Sequence, residues 1–395
     1  MELYLAKGEK KEKTVALDDL FLTKSLPTTA GSKMLDGYMS LFDAEVFTLL
    51  SNSGFALGGK AKVGEFAIDL LGETCYKGAT EKDGKLVYAP CELVKDGEVL
   101  AALCLDANGA PRRGAAQSGL VYLKPTYGTV SRFGLVGVAS SGDTVGICAE
   151  TTDTVREILS VIAHHDDKDG TSLSEDACIS INKEKKAAKV AVLKDFIAEA
   201  EADVQKSIYL TIEALKKSGV EVVEINSDEI AAARVAWNIL MSAETCNNVS
   251  RFDGVKYGYR TQNFTNLDEL YTNSRTEAFG DLIKTCILFG SETLSDKNYM
   301  KQYDKSLRIR RVISEKFALL FKSYDAVLLP ATSKTSYSVE DVKENLTLCY
   351  EENKFTAPAS ITGLPALVAG GVQFIADAFE EGKLLCLAQI IEQEG

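Results

Sequence analysis

The stretch from Lys189 to Ile225 places the tightest limit on what this chain can fold into. "KVAVLKDF" (Lys189 to Phe196) is a short apolar run that suits a buried strand. Ala200 to Ser218 then carries Val204, Ile208, Thr211, Ile212 and Leu215 at helical spacing, and Gly219 closes that helix. "VEVVEI" (Val220 to Ile225) resumes a strand. A strand, a helix and a strand joined by tight turns put two parallel strands in one sheet with the helix across its face. "YDAVLLPATS" (Tyr324 to Ser333) adds another buried strand, interrupted at Pro330. It follows a helix rich in Lys and Arg from about Lys305 to Lys322. No repeat or low-complexity linker divides the chain. The expectation is one α/β domain over residues 1–395, with a mixed or parallel sheet flanked by helices.

Charge and composition narrow the function. The net charge is −13, which disfavours a nonspecific nucleic-acid surface, because neutralising phosphates needs clustered Lys and Arg. The nine cysteines form no CxxC pair and read as reduced thiols of a cytoplasmic protein. No apolar run approaches the roughly 20 residues of a membrane helix, and "MELYLAKGEKKEK" at the N-terminus has no leader-like apolar core. The only two histidines, His164 and His165, are adjacent in a polar turn. That leaves little for a metal site, and none is expected. Glycines crowd Gly54 to Gly64 and Gly109 to Gly146, but none forms GxGxxG or GxxxxGK[ST]. No nucleotide or other cofactor is expected.

Seven stretches carry a resemblance. They are "SLPTTAGSKML" (Ser25 to Leu35), "GGKAKVGEFAI" (Gly58 to Ile68) and "GLVYLKPTYGTVSRFGLVGVASSGDTVG" (Gly119 to Gly146), then "AHHDDKDGTS" (Ala163 to Ser172) and "NNVSRFDGVKYGYRT" (Asn247 to Thr261). "FGDLIKTCILFGSETLS" (Phe279 to Ser295) and "ITGLPALVAGG" (Ile361 to Gly371) complete them. In this order they resemble the amidase signature family, and "RFDGVKYGYR" is most similar to its tRNA-dependent amidotransferase branch, the GatA chains of GatCAB. The resemblance implies an amidase-signature fold, a single large mixed β-sheet flanked by helices. The family's first helices, before the lysine strand, are missing from this chain.

The resemblance also implies a catalytic Ser, cis-Ser and Lys: the lysine acts as base through the bridging serine, and the second serine attacks an amide carbonyl. Here those positions are degraded. The lysine position falls on Asp18 in "ALDDLF", a carboxylate whose ordinary pKa near about 4 makes it a poor base for a hydroxyl. Counting back from Gly119, the nucleophile position falls on Ala110 in "DANGAPRR". No serine occurs between Gly54 and Gln117, so no shift of register restores either one. Cys91 lies near the lost serine loop, but no base stands beside it in the sequence.

The substrate half is better kept. Asp106, Gly109 and Arg112 remain from the nucleophile motif. Arg310 in "LRIRR" matches the family arginine that holds the glutamine carboxylate, although an arginine on a solvated helix face reads the same way. Asn353 stands where the family has an aspartate for the glutamine amino group. Tyr257 and Tyr259 match the pocket tyrosines, and packing alone also accounts for them.

The reading is therefore a GatA-like protein that has lost amide hydrolysis and acts in binding or within a complex. It would dock GatB- and GatC-like chains, take a small amide or amino acid, and meet tRNA only through a complex. The alternatives are a GatA-like chain supporting tRNA-dependent transamidation from free ammonia, or an amidase using Asp18, Asp106 or Cys91 in an unorthodox way.

Overall fold

A computed structural model describes residues 2–226 and 228–394. Its strands are β1 (Tyr4–Lys7), β2 (Thr14–Asp18), β3 (Ala56–Ala61), β4 (Glu81–Lys82), β5 (Lys85–Leu86), β6 (Ala101–Asp106) and β7 (Val121–Lys124). They continue with β8 (Thr144–Ala149), β9 (Lys189–Leu193), β10 (Glu221–Ile225), β11 (Ala326–Pro330), β12 (Ala366–Ala369) and β13 (Val372–Ala376). β4 and β5 form a separate hairpin, and the other eleven make one mixed sheet in the order β1-β3-β2-β6-β8-β7-β12-β13-β11-β9-β10. The inner strands read as continuous apolar runs because both faces are covered: every residue of β6, β8, β11 and β13 is buried.

The strand–helix–strand unit is present, with its helix at Ala202–Lys217. β9 and β10 pair in parallel, Val190 opposite Val222. One boundary differs from the sequence reading. The strand stops at Leu193, and Lys194–Ala198 turns into a short helix that buries Phe196 and Ile197 on one side. A run of apolar residues does not reveal such a switch, because strand and helix bury the same side chains. The basic helix spans Tyr303–Leu320, and Pro330 ends β11.

Six helices frame the site: α1 (Ala89–Lys95), α2 (Ala110–Ser118), α3 (Ala233–Val249), α4 (Asp281–Leu294), α5 (Tyr303–Leu320) and α6 (Leu348–Thr362). α3 is the hub of a helical layer and packs on α4, α5 and α6. β2 and β6 run parallel, with Leu17 opposite Leu103. Asp18 and the turn from Asp106 to Ala110 therefore leave the sheet at the same strand-end edge, where α/β folds place their sites.

Candidate functional site

Asp18 ends β2 and is fully buried. Its Oδ1 accepts the Leu20 N–H at 2.9 Å and its Oδ2 accepts the Leu105 N–H at 2.6 Å. Burial pushes this carboxyl up to about 7, and the two N–H groups pull against that shift. A lysine does lie close by, on β3, but it faces other work. The Lys60 ammonium donates to the Phe21 carbonyl, to Thr28 Oγ1 at 2.9 Å and to Asp19 Oδ1 at 3.3 Å. An ammonium has three protons to give, so Lys60 is fully committed to bracing the segment after β2.

The nucleophile turn follows β6. Gly109 sits in the left-handed region at φ +81°, and a Cβ there would lie 2.4 Å from the Thr356 Cβ. Ala110 opens α2 and is buried. Its methyl carries no acidic proton and no lone pair, so it cannot act as a nucleophile. Pro111 fits beside it, since the first helical turn has no partner for the N–H that proline lacks.

Asp106 and Arg112 face each other as a buried fork, with Nε to Oδ2 at 2.8 Å and Nη2 to Oδ1 at 3.0 Å. The remaining Arg112 donors reach the Thr356 carbonyl (2.8 Å), Gln373 Oε1 (2.9 Å) and Ser360 Oγ (2.7 Å). All five guanidinium protons end on protein acceptors. As placed, Asp106 and Arg112 tie β6, α2, α6 and β13 together and offer nothing to a ligand. Arg113, which no motif singles out, is also buried and donates to the Leu70 carbonyl (3.1 Å) and the Asp69 carbonyl (3.0 Å).

α1 occupies the stretch where the family resemblance implies a glycine–serine loop, and its Leu93 and Val94 are buried, as is Tyr88 just before it. The Tyr88 phenol is pushed well up, first by burial and then by Cys104, Asp18 and Asp69 around it. Trp237 of α3 donates its indole N–H to the Ala107 carbonyl at 3.2 Å. A Cβ on Gly142 would meet its ring at 2.1 Å. Cys91 is buried on α1 with its sulfur 3.5 Å from that of Cys148. Burial pushes the Cys91 thiol up, the opposite of what a nucleophilic thiolate needs. Surface clefts of about 280 to 480 Å³ are formed by other described residues, and Asp18, Asp106 and Ala110 line none of these.

Arg310 lies apart from this packed centre, on α5. Its Nη2 donates to Ser141 Oγ at 2.7 Å, while its Nε has no partner. Glu244 of α3 accepts the Ser141 N–H at 2.8 Å. Burial pushes the Arg310 guanidinium below its ordinary range, and the Glu244 carboxylate opposes that shift. A cleft of about 340 Å³ opens alongside, lined by Ser140, Glu244, Asn247, Asn248, Tyr299 and Tyr303. Ala243 and Leu294 complete its lining, and the unpartnered Arg310 Nε is itself buried.

The other predicted pocket residues go elsewhere. Asn353 is buried, and its carboxamide lies 2.7 Å from that of Asn238 and 2.7 Å from that of Asn108. Tyr259 donates to Glu277 Oε2 at 2.6 Å, with the Lys33 ammonium 4.1 Å above its ring. Tyr257 packs edge-on against Phe252 and beside Tyr38. Both histidines are at the surface, where His164 meets Glu175 and His165 meets Asp167. Among the described residues no group of three His, Cys, Asp or Glu is arranged for a metal ion, and no helix is long and apolar enough to cross a membrane.

Known proteins share both the sequence pattern and this frame. The Amidase family model matches residues 14–385. The GatA chain of the glutamyl-tRNA(Gln) amidotransferase of Coxiella burnetii is 34% identical over 413 aligned residues, covering 99% of this chain and 86% of that protein. Its counterpart in Listeria monocytogenes serotype 4a is 33% identical, covering 96% and 83%. Among solved structures, the GatA chain of Thermotoga maritima superposes with a TM-score of 0.81 at 26% identity, over 99% of this chain and 87% of that one. Kluyveromyces lactis allophanate hydrolase shares the fold, with a TM-score of 0.81 at 23% identity over 96% of this chain and 61% of that one. The chain belongs to the amidase family, on the frame shared by the GatA chains of the amidotransferases.

Proposed function

We propose that this chain is a non-hydrolytic, GatA-like protein, a cytoplasmic binding partner built on an amidase frame without amidase chemistry. One observation carries the reading. The position where the family resemblance implies a nucleophile is the buried methyl of Ala110, and among the described residues none of the clefts given above is lined by it. Ala110 offers no nucleophilic atom, so acyl transfer through that position has no starting atom.

What the frame retains supports binding. The relatives are named as subunits of a glutamyl-tRNA(Gln) amidotransferase, which favours a role inside a complex with GatB- and GatC-like chains. The net charge of −13 leaves RNA contact to such partners. The cleft lined by Ser140, Glu244, Asn247, Asn248, Tyr299 and Tyr303 suits a small amide or amino acid, with an amino group toward Glu244. The test is calorimetric titration of the chain with glutamine, asparagine and glutamate, beside co-elution with a GatB and GatC pair. Binding in either experiment that Arg310→Met or Glu244→Gln weakens supports the reading. Neither ligand nor partner binding would remove it.

A further inference from the structure

Another cleft lies on the other flank of α3, away from Arg310. It is about 480 Å³, within the range of small-molecule sites, about 300 to 1,000 Å³. Arg234, Val235, Asn238 and Ile239 supply one wall from two successive turns of α3. Thr285 and Phe289 supply the facing wall from α4, and Thr347, Tyr350 and Glu351 close the end at the start of α6. Val235 remains 55% exposed and Phe289 44%, and Leu288 beside it is 73% exposed. Apolar surface gathered in a concavity is unusual on a monomer and marks a binding site.

The polar atoms of this lining say what the occupant carries. Asn238 is used up, its Nδ2 donating to the Tyr350 carbonyl at 2.9 Å and its Oδ1 lying 2.7 Å from Asn353. Thr285 Oγ1 donates to the Asp281 carbonyl at 2.9 Å, and Thr347 Oγ1 donates to Asn345 Oδ1 at 3.0 Å. The Tyr350 hydroxyl is turned toward Ser242 at 3.4 Å. Arg234 is left, with neither hydrogen bond nor ion pair among the described residues. The one disengaged donor set is thus a guanidinium, which asks for an anion and fits a carboxylate with two parallel bonds. Glu351 on the same lining accepts from Asn345 Nδ2 at 2.8 Å, and a carboxylate there disfavours a doubly charged head group.

We infer that the cleft between α3, α4 and the start of α6 binds a small monocarboxylate with an aromatic or branched aliphatic body. The carboxylate lies on Arg234, and the body lies against Val235, Ile239, Phe289 and the Tyr350 ring. The floor of the site is wired inward, since Asn238 touches Asn353 and Asn353 touches Asn108 in the turn before Ala110. A ligand seated here bears on the closed centre without entering it. The inference does not depend on the loss of hydrolysis, because none of its residues belongs to the Asp18–Ala110 region.

The test is calorimetric titration of the full chain with 3-phenylpropionate, its neutral amide 3-phenylpropanamide, and phenyl phosphate. The acid is expected to bind at least about tenfold more tightly than the amide, and phenyl phosphate more weakly than the acid. Arg234→Gln removes the preference for the acid with little change in melting temperature, since among the described residues Arg234 makes no hydrogen bond or ion pair and Gln keeps part of its half-buried stem. Phe289→Ala weakens acid and amide together, and Arg310→Met changes neither. Equal affinity for acid and amide, a preference that survives Arg234→Gln, or no binding up to about 10 mM overturns the inference. So does a loss of binding in Arg310→Met, which would assign the acid to the other cleft. Concentration-dependent self-association that Phe289→Ala abolishes, without any ligand preference, would give the face to a second copy of the chain and also overturn it.

Discussion

The surroundings of Ala110 and those of Arg310 have met opposite fates within one frame. Around Ala110 the side chains are large, apolar or fully paired, and Arg112 spends every donor on the protein. Around Arg310 the guanidinium keeps an unpartnered Nε beside a cleft of about 340 Å³. The contrast follows from the cost of empty polar space. A reaction centre that no longer holds a substrate leaves a cavity and orphaned donors, and interiors close such defects because each costs on the order of 1 kcal/mol or more. A cleft at the surface is filled by water and carries no such pressure. Under the proposed non-hydrolytic function, such closure is expected at the centre and not at the rim.

The largest effect is expected where that packing is charged. Arg112→Met strands the buried Asp106 carboxylate and removes the ties to α6 and β13. It should cost about 3–5 kcal/mol in urea unfolding. A cost under about 1 kcal/mol would mean the fork does not brace the centre, and the comparison would lose one side. Trp237→Ala should cost a similar or slightly smaller amount, about 3–5 kcal/mol, by leaving a cavity above Ala107 and Gly142. Glutamine binding gained by that variant would show that the ring alone closes the old pocket.

The pH dependence comes next. Asp18, Glu65 and Asp69 are buried carboxyls pushed up to about 7, and Asp143 up to about 6, first by burial in each case. Their folded values lie above the unfolded ones, so the fold holds protons that the unfolded chain releases. Their stabilising protonation is complete below about 4 and is lost as pH rises toward about 7. Stability should fall by a few kcal/mol between about pH 5 and pH 7, and urea midpoints at each pH would read it. A rise over that window would contradict the buried placement of these carboxyls.

The small effects sharpen the other side. Arg310→Met breaks one bond, to Ser141, and should change stability by about 1 kcal/mol or less while weakening amino-acid binding at that cleft. Ala110→Ser should change nothing measurable in activity under the proposed function, because Asp18 stands where the family resemblance implies the lysine base.

Much of this frame is legible in the sequence. The Lys189–Ile225 unit is readable because strand and helix periodicity are local, and only the short helix after Leu193 escapes it. Ala110 can be placed because the spacing back from Gly119 is covalent. What residues do at the centre is not legible in the same way. Arg112 reads as a pocket residue from its motif, yet the acceptors that occupy it, Thr356, Ser360 and Gln373, lie 244 to 261 residues further on. Trp237, the sole tryptophan, stands in no motif, and its partner Ala107 is 130 residues away. Glu244 and Ser141 join Arg310 only through the folded contact between α3, α5 and the loop before β8. The pairing of Tyr259 with Glu277 likewise needs the fold. Motif spacing fixes where a residue sits along the chain, and burial then decides whether it faces a ligand or a neighbour.

The most direct measurement is glutamate release from glutamine by the purified chain, alone and with an amidotransferase GatB and GatC pair. The account predicts release no faster than from the heat-inactivated chain in both settings. Release that rises in proportion to the amount of chain added would contradict it, and would place a working nucleophile in a centre where the geometry leaves only a methyl group.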